Sequence, residues 1–416
     1  MESIIDLLER RWGLQVTDLS AMEGYDSTNY RVSCVDKCFV LKAYSYDRES
    51  YETVAAENEV LHHLGRHGEM YPELIPATDG EELIVDDQLP NQFFRILSFL
   101  EGSFWGDRSD VSEGLFRSYG QFIGRMDEQL SDIKPLAICA KRIVWDLDHF
   151  LLNEPLCRYI DDPSDRKLVE YYILQYKEKV LPQSLHLRKR IIHNDANDWN
   201  VLTSGDEVTG IIDFGDVVYS SLIYELAVGL TYVIMDRDDP ISDAAIVIGA
   251  YHQAIPLRED EIELLYYLIA ARLCTSVCNS AKSKRDKPDS EYITVSERPA
   301  WELLKRWVSI SPYHVSKVWR AACEYDTKPT NSKMIAAARS RNFSNVMSLS
   351  YDRPIHMQSA AFQYMYDGEG NAILDAYNNI IHVGHCHPRV VTAGQRAMAQ
   401  LNTCLLYTSP SPRDRG

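Results

Sequence analysis

The stretch IIHNDANDWNVL, Ile191 to Leu202, constrains this chain more than any other part of it. His193, Asn194, Asp195, Asn197, Asp198 and Asn200 crowd polar groups between two apolar ends. A second carboxylate cluster follows at once in GIIDFGD, Gly210 to Asp216. Between the two clusters, Ser204–Gly205 marks a hairpin-like turn, whose second strand delivers Asp213. A fold that accepts this pattern must place two carboxylate-bearing loops side by side at the ends of short strands.

Phosphoryl transfer needs positioning, metal ions to neutralise phosphate charge, and a carboxylate to orient the attacking hydroxyl. Magnesium prefers hard oxygen ligands, one or two of them carboxylates. Asp195 lies two positions after His193 and five before Asn200. That spacing lets a loop point Asp195 at a substrate while Asn200 turns back to a metal. A loop Asp and Asn also serve as plain turn or cap residues, and the first pattern alone is weak. The second cluster, at this distance after a strand–turn–strand pattern, gives it weight.

The N-terminal region offers an independent check. FVLKAY places Lys42 in an apolar strand, where a charge needs a partner. A kinase uses such a lysine on its third strand for the α- and β-phosphates, with a helical glutamate beside it. Glu57 precedes Leu61 and Leu64 at helical spacing and is the expected partner of Lys42; Glu59 points elsewhere. EGYDSTNYRV, Glu23 to Val32, occupies the place of a nucleotide-covering loop. Gly24 is its one glycine, so Ser27, Thr28 and backbone amides are the expected phosphate contacts. LSFLEG, Leu97 to Gly102, suits a hinge around Phe99 whose backbone holds the nucleotide base, or a plain connector.

These motifs resemble the H-x-D-x-x-x-x-N catalytic loop and D-F-G metal motif of the aminoglycoside phosphotransferase and choline-kinase-like superfamily. The resemblance covers about Ile4 to Arg320. It implies an α+β, two-lobed protein-kinase-like fold, with a β-rich small lobe over residues 1–101 and a helical large lobe over 102–325. It implies Asp195 as catalytic base, Asn200 and Asp213 as magnesium ligands, ATP or GTP as co-substrate, and a structural His193. Glu225 in YSSLIYELAVGL resembles a residue of the helix supporting the metal loop, in a structural role. Asn194 stands where the family usually has Gly. Asn197 stands where many members have His, and there the chain resembles the hydroxylysine-kinase-like branch. Arg272, inside an apolar helix, either forms a salt bridge within the lobe or holds a substrate carboxylate.

A second pattern begins near Gln363. YDGEGNAILDAYNN and VGHCHPRVV resemble the N-terminal segment of class III, pyridoxal-phosphate-dependent aminotransferases, here residues 351–403. Asp367–Gly368 and Glu369–Gly370 read as a tight hairpin. In that family the Schiff-base lysine comes well downstream, so pyridoxal phosphate belongs to a longer parent and the segment is expected to be poorly packed. His382, His385 and His387 read as fold-building contacts, with a metal cluster as the alternative. Residues 326–350 read as a polar linker. CLLYTSPSPRD, from Cys404, resembles a translated sequencing adapter, and 404–416 are set aside on that expectation.

The rest of the composition narrows the partners. A net charge of −18 shows no basic face for nucleic acid. No apolar run approaches the roughly 20 residues that span a bilayer. The nine cysteines lack CxxC pairs and read as reduced thiols in a cytoplasmic protein. Cys274 and Cys278 share a helix face, for core packing or a metal pair. The expectation is a kinase for a hydroxyl on a small amino-alcohol, such as hydroxylysine or ethanolamine, with homo-oligomerisation through a complete aminotransferase domain. The alternatives are a choline, homoserine or aminoglycoside kinase, or a non-catalytic pseudokinase that regulates the attached domain.

Overall fold

A computed structural model describes residues 2–22, 27–68, 70–286, 297–326, 332–342, 355–376 and 382–400. Gly24, the linker residues 327–331 and 343–350, and the adapter-like tail from Cys404 lie outside them.

The chain opens with helix α1, Glu2–Trp12, which buries Ile4, Leu7, Leu8 and Trp12 at the spacing that its sequence shows. Gly13 follows at φ +67°, a left-handed position that ends the helix at little cost to glycine. Strands β1 (Asp18–Met22), β2 (Thr28–Ser33) and β3 (Cys38–Ser45) then form a meander. Helix α2, Arg48–Gly65, starts at Asp47, whose side chain accepts from the Ser50 amide at 2.8 Å. The short strands β4 (Leu74–Ile75) and β5 (Ile84–Val85) and the longer β6 (Gln92–Ser98) complete one antiparallel sheet. Its order is β1-β2-β3-β6-β4, with β5 also on β6. Alternation along β3 and β6 sets the use of its two faces. Leu41 and Ile96 are opposite each other and pack with α1. Lys42 and Arg95 are the next pair, so they share the opposite face, where Arg95 meets α2.

After β7 (Ser103–Phe104) the chain becomes helical: α3 (Glu113–Gln129), α4 (Leu136–Ala140) and α5 (Pro163–Gln175). Helix α3 packs on a later helix, α7, through Gly120. A Cβ there would stand 2.3 Å from the Val247 carbonyl oxygen, so the close approach requires glycine. Strands β8 (Lys189–Ile192), β9 (Val201–Ser204), β10 (Glu207–Ile211) and β11 (Val218–Ser221) carry the motif region. β9 pairs with both β10 and β7, and β11 pairs with β8. Helices α6 (Leu222–Val233), α7 (Pro240–Ala254), α8 (Glu259–Asp286), α9 (Glu297–Trp307) and α10 (Pro312–Ala322) enclose a core that includes Trp307 and Trp319, both fully buried. Cys274 and Cys278 are buried in α8, and the described cysteines are all free.

Two expectations about the C-terminal part are refined. The linker contains helix α11, Ser332–Asn342, because MIAAARS is rich in strong helix formers despite its polar ends. The aminotransferase-like segment, expected to be poorly packed, is packed in part: Pro388 is the one buried residue of its helix, and Met357, Leu374, Val390 and Met398 are exposed. Strands β12 (Met357–Ala361), β13 (Tyr364–Asp367) and β14 (Ala372–Leu374) form a meander, and α12 (Pro388–Gln400) follows. Ala361, Phe362 and Tyr366 are buried in the main core cluster. Phe362 lies 5.0 Å from the Tyr171 ring and under the Lys167 ammonium, and the Tyr366 hydroxyl donates to the Val308 carbonyl. These side chains take partners from the helical lobe in place of a domain of their own. His385 bonds Asp375 at 2.8 Å, a contact within the segment.

Candidate active site

Pairing of β8 with β11 brings the loop after Ile192 against the turn before Val218. His193 fastens the two. Its ring is fully buried, lies edge-on to Phe214 at 4.7 Å, and is 3.1 Å from the Ile212 carbonyl through Nε2. Nδ1 accepts from the Asp195 amide at 3.3 Å, so the proton sits on Nε2. Burial pushes its pKa down to about 4, which keeps the ring neutral. Asn194 adopts φ +66°, a conformation that favours glycine. Its amide donates to Glu225 at 2.7 Å, so a buried carboxylate on α6 supports the strained turn.

The turn aims Asp195 into the cleft, where its side chain keeps 20% exposure. Oδ2 accepts from Asn197 at 3.0 Å and Asn200 at 2.8 Å, and Oδ1 accepts from Arg272 at 2.9 Å. Burial, then the nearby Asp216, push the carboxyl above the usual range, while Arg272 pulls the other way. Asn200 uses Nδ2 for both the carbonyl and the carboxylate of Asp195. Among the described residues nothing donates to its Oδ1. Its backbone carbonyl accepts from the Ile212 amide at 2.9 Å, which sets Asn200 beside the chain that enters Asp213.

Asp213 sits at φ +62°, turned out of β10 before a one-turn 3₁₀ helix, Phe214–Asp216. Its Oδ1 accepts from Lys42 Nζ at 2.7 Å. Burial alone would raise its pKa, but Lys42 more than offsets that and holds the carboxyl below its ordinary value. The two oxygen donors, Asn200 Oδ1 and the half-exposed Asp213 carboxylate, are of the hard type that a magnesium ion takes.

The small lobe differs from the sequence expectation at one pair. Glu57 does not meet Lys42. It is bonded by Arg95 at 2.8 Å, with Lys141 3.6 Å away, and Arg95 also donates to Asn58 at 2.7 Å. Arg95 stands opposite Lys42 across the sheet and reaches α2 first, so Lys42 extends to Asp213 instead. Arg95 and Lys141 were not foreseen. FFRILS carries the same signal as FVLKAY, a charge in an apolar strand that needs a partner. Lys141 also donates to the Gly215 carbonyl and has no comparable sequence signal.

The Ser27 hydroxyl donates to Asn29 Oδ1 at 2.7 Å, and Asn29 faces Lys42 across β2 and β3. Thr28 is exposed at the start of β2. Phe99 lies in the connector between β6 and β7, with the Arg31 guanidinium 4.8 Å over its ring. The site thus brings together Asp195, Asn200, Asp213 and Lys42, leaves Ser27 one strand away, and separates Glu57 behind Arg95.

Three comparisons accord with this geometry. The family model described as the phosphotransferase enzyme family, APH, matches residues 19–261. A hydroxylysine kinase of Xenopus laevis is 25% identical over 345 residues, 76% of this chain and 92% of that protein. The solved structure of a microcompartment-associated aminopropanol kinase superposes with a TM-score of 0.60 at 17% identity, covering 74% of this chain and 98% of that one. A shorter match, 45% identical over 53 residues, is to ethanolamine-phosphate phospho-lyase homolog 1 of Caenorhabditis elegans. It spans 13% of this chain and 11% of that protein.

Proposed function

This chain belongs to the phosphotransferase enzyme family, and on that premise we propose that it transfers the γ-phosphoryl group of ATP or GTP to a hydroxyl of a small, amine-bearing acceptor of the hydroxylysine type. The observation that carries the reading is the convergence of Asp195, Asn200, Asp213 and Lys42 on one cleft. The relative named as a hydroxylysine kinase, alike over most of both chains, supports the choice of acceptor.

Asn200 and Asp213 would hold Mg2+, which when bound neutralises phosphate charge. Lys42 leaves its pairing with Asp213 for the phosphate oxygens of the nucleotide. Asp195 accepts a hydrogen bond from the acceptor hydroxyl and orients its oxygen towards the γ-phosphorus. His193 stays neutral and keeps the loop in place. Ser27, Thr28 and Phe99 line the nucleotide side, and Glu57 acts on it only through Arg95 and the packing of α2.

The finer reading concerns the meander and α12. A kinase that makes an amino-alcohol phosphoester, joined to a pyridoxal enzyme that eliminates phosphate from it, is a coherent pair, and the short phospho-lyase match supports it. Residues 355–403 contain no lysine to form a Schiff base, so no pyridoxal step is derived for them.

The test is the full chain with ATP or GTP and Mg2+, assayed for phosphorylated product across an amino-alcohol panel and an aminoglycoside panel. Turnover of hydroxylysine or ethanolamine is expected. Turnover of aminoglycosides alone would sink the amino-alcohol reading. Nucleotide binding with no turnover of any acceptor would favour the pseudokinase.

A further inference from the structure

Arg272 comes from the middle of α8, 77 residues beyond the catalytic loop, and is 1% exposed. A cation this deep needs a bonded, oppositely charged partner and an acceptor for each nitrogen. It has them. Nε donates to the Tyr232 hydroxyl at 3.0 Å, Nη1 to the Trp145 carbonyl at 2.9 Å, and Nη2 to Asp195 Oδ1 at 2.9 Å. The guanidinium carbon lies 4.8 Å from the Trp145 ring centre and 5.3 Å from that of Tyr232. The planar fork therefore cannot turn, and Oδ1 of Asp195 is held at its end. Buried and engaged in this way, Arg272 is not available to take a carboxylate of the acceptor.

The two oxygens of Asp195 are unequally used. Oδ2 accepts two amide N–H groups, from Asn197 and Asn200. Oδ1 accepts one bond among the described residues, from Arg272. A carboxylate oxygen offers about two lone-pair sites, so Oδ2 is filled and Oδ1 keeps one open.

We propose that Arg272 is a positioning residue that fixes the rotation of the Asp195 carboxylate and so selects Oδ1 as the atom that receives the acceptor's proton. The inference rests on the kinase reading above. In the step it serves, the acceptor oxygen bonds to the γ-phosphorus. The bond from that phosphorus to the β-bridging oxygen breaks, its electron pair leaving on the nucleoside diphosphate. The hydroxyl proton passes to Oδ1. Arg272 touches neither the acceptor nor the phosphoryl group. It acts by preventing the carboxylate from swinging its open lone pair away from the acceptor.

The experiment compares the full chain with Arg272→Met, Arg272→Lys and Asp195→Asn, using hydroxylysine and MgATP. Arg272→Met should lower kcat by about 100-fold, the scale of loss for a misplaced catalytic group, with the nucleotide KM within about threefold of wild type. Added guanidinium ion should restore part of that kcat, and should restore nothing in Asp195→Asn. Arg272→Lys keeps the charge without the fork. It should fold with kcat reduced by about tenfold or more, and it decides the matter if Arg272→Met does not fold. Wild-type kcat in Arg272→Lys overturns the assignment. So does a loss in Arg272→Met that appears in nucleotide KM and is not rescued by guanidinium. Absence of turnover by the wild-type chain itself would instead remove the kinase reading, and this inference with it.

Discussion

Lys42 and Asp213, 171 residues apart, meet at 2.7 Å across the cleft between the sheet and the helical lobe. The lysine is buried and the carboxylate half exposed, so the pair is poised to open toward a nucleotide from the Asp213 side. Lys42→Ala should raise the nucleotide KM and cripple phosphoryl transfer while leaving the fold intact. Nucleotide titration and steady-state kinetics check this together, and full activity in the variant would refute the role of Lys42.

Asp195→Asn removes the proposed proton acceptor but keeps a side chain of the same shape. Its kcat should fall by roughly 100- to 10,000-fold, the usual share of general base catalysis, with nucleotide still bound. A variant retaining wild-type kcat would show that another group takes the proton.

Glu57 and Arg95 form a buried ion pair, at 3% and 1% exposure. Removing one partner of such a pair leaves a desolvated charge and costs about 3–5 kcal/mol. Glu57→Ala should therefore lose stability in denaturant titration by about that amount, while nucleotide KM changes little in whatever fraction stays folded. A large KM increase at unchanged stability would return Glu57 to direct contact with the lysine.

His193 binds its proton less readily in the folded chain than in the unfolded one, at a pKa of about 4 against about 6.5. The unfolded state then takes up more protons between those values. The stability associated with the neutral ring is complete above about pH 6.5 and is lost as pH falls towards 4, by about 3 kcal/mol in total. Denaturant titrations at pH 7.5 and 5 should show this decline. His193→Gln, which cannot titrate, should show a shallower one; an equal decline in both would assign it to other groups.

Asn194 sits at φ +66° with both side-chain polar atoms buried and, among the described residues, unpartnered. Asn194→Gly should keep activity and at least match wild-type stability, since it relieves the left-handed strain, about 1–2 kcal/mol for an ordinary residue, and removes the orphaned amide. Asn194→Val should be clearly destabilised. Thermal or chemical unfolding of the two variants decides it.

Much of this was legible in sequence where a local rule operates. The apolar run around Lys42 is strand β3, and the helical spacing of Glu57, Leu61 and Leu64 falls in α2. The two carboxylate clusters located Asp195, Asn200 and Asp213, because their spacing is itself the loop geometry. What stayed hidden depends on long-range competition. Which cation Glu57 takes depends on the cross-strand register of Lys42 and Arg95, and no local pattern states that register. The two-residue strands β4 and β7 are too short for a period to show. No local pattern shows where Phe362 and Tyr366 find their partners either, because Tyr171 and Val308 lie far back in the chain.

That meander also sets the timing of synthesis. Phe362 and Tyr366 share one apolar interior with Tyr171 and Trp307, yet they leave the ribosome some 190 residues after Tyr171. At roughly 5–20 residues per second, the helical lobe waits on the order of ten to forty seconds with that part of its surface uncovered. The nascent chain is sticky for that interval, which makes it a client for any chaperone that binds exposed aromatic side chains during translation.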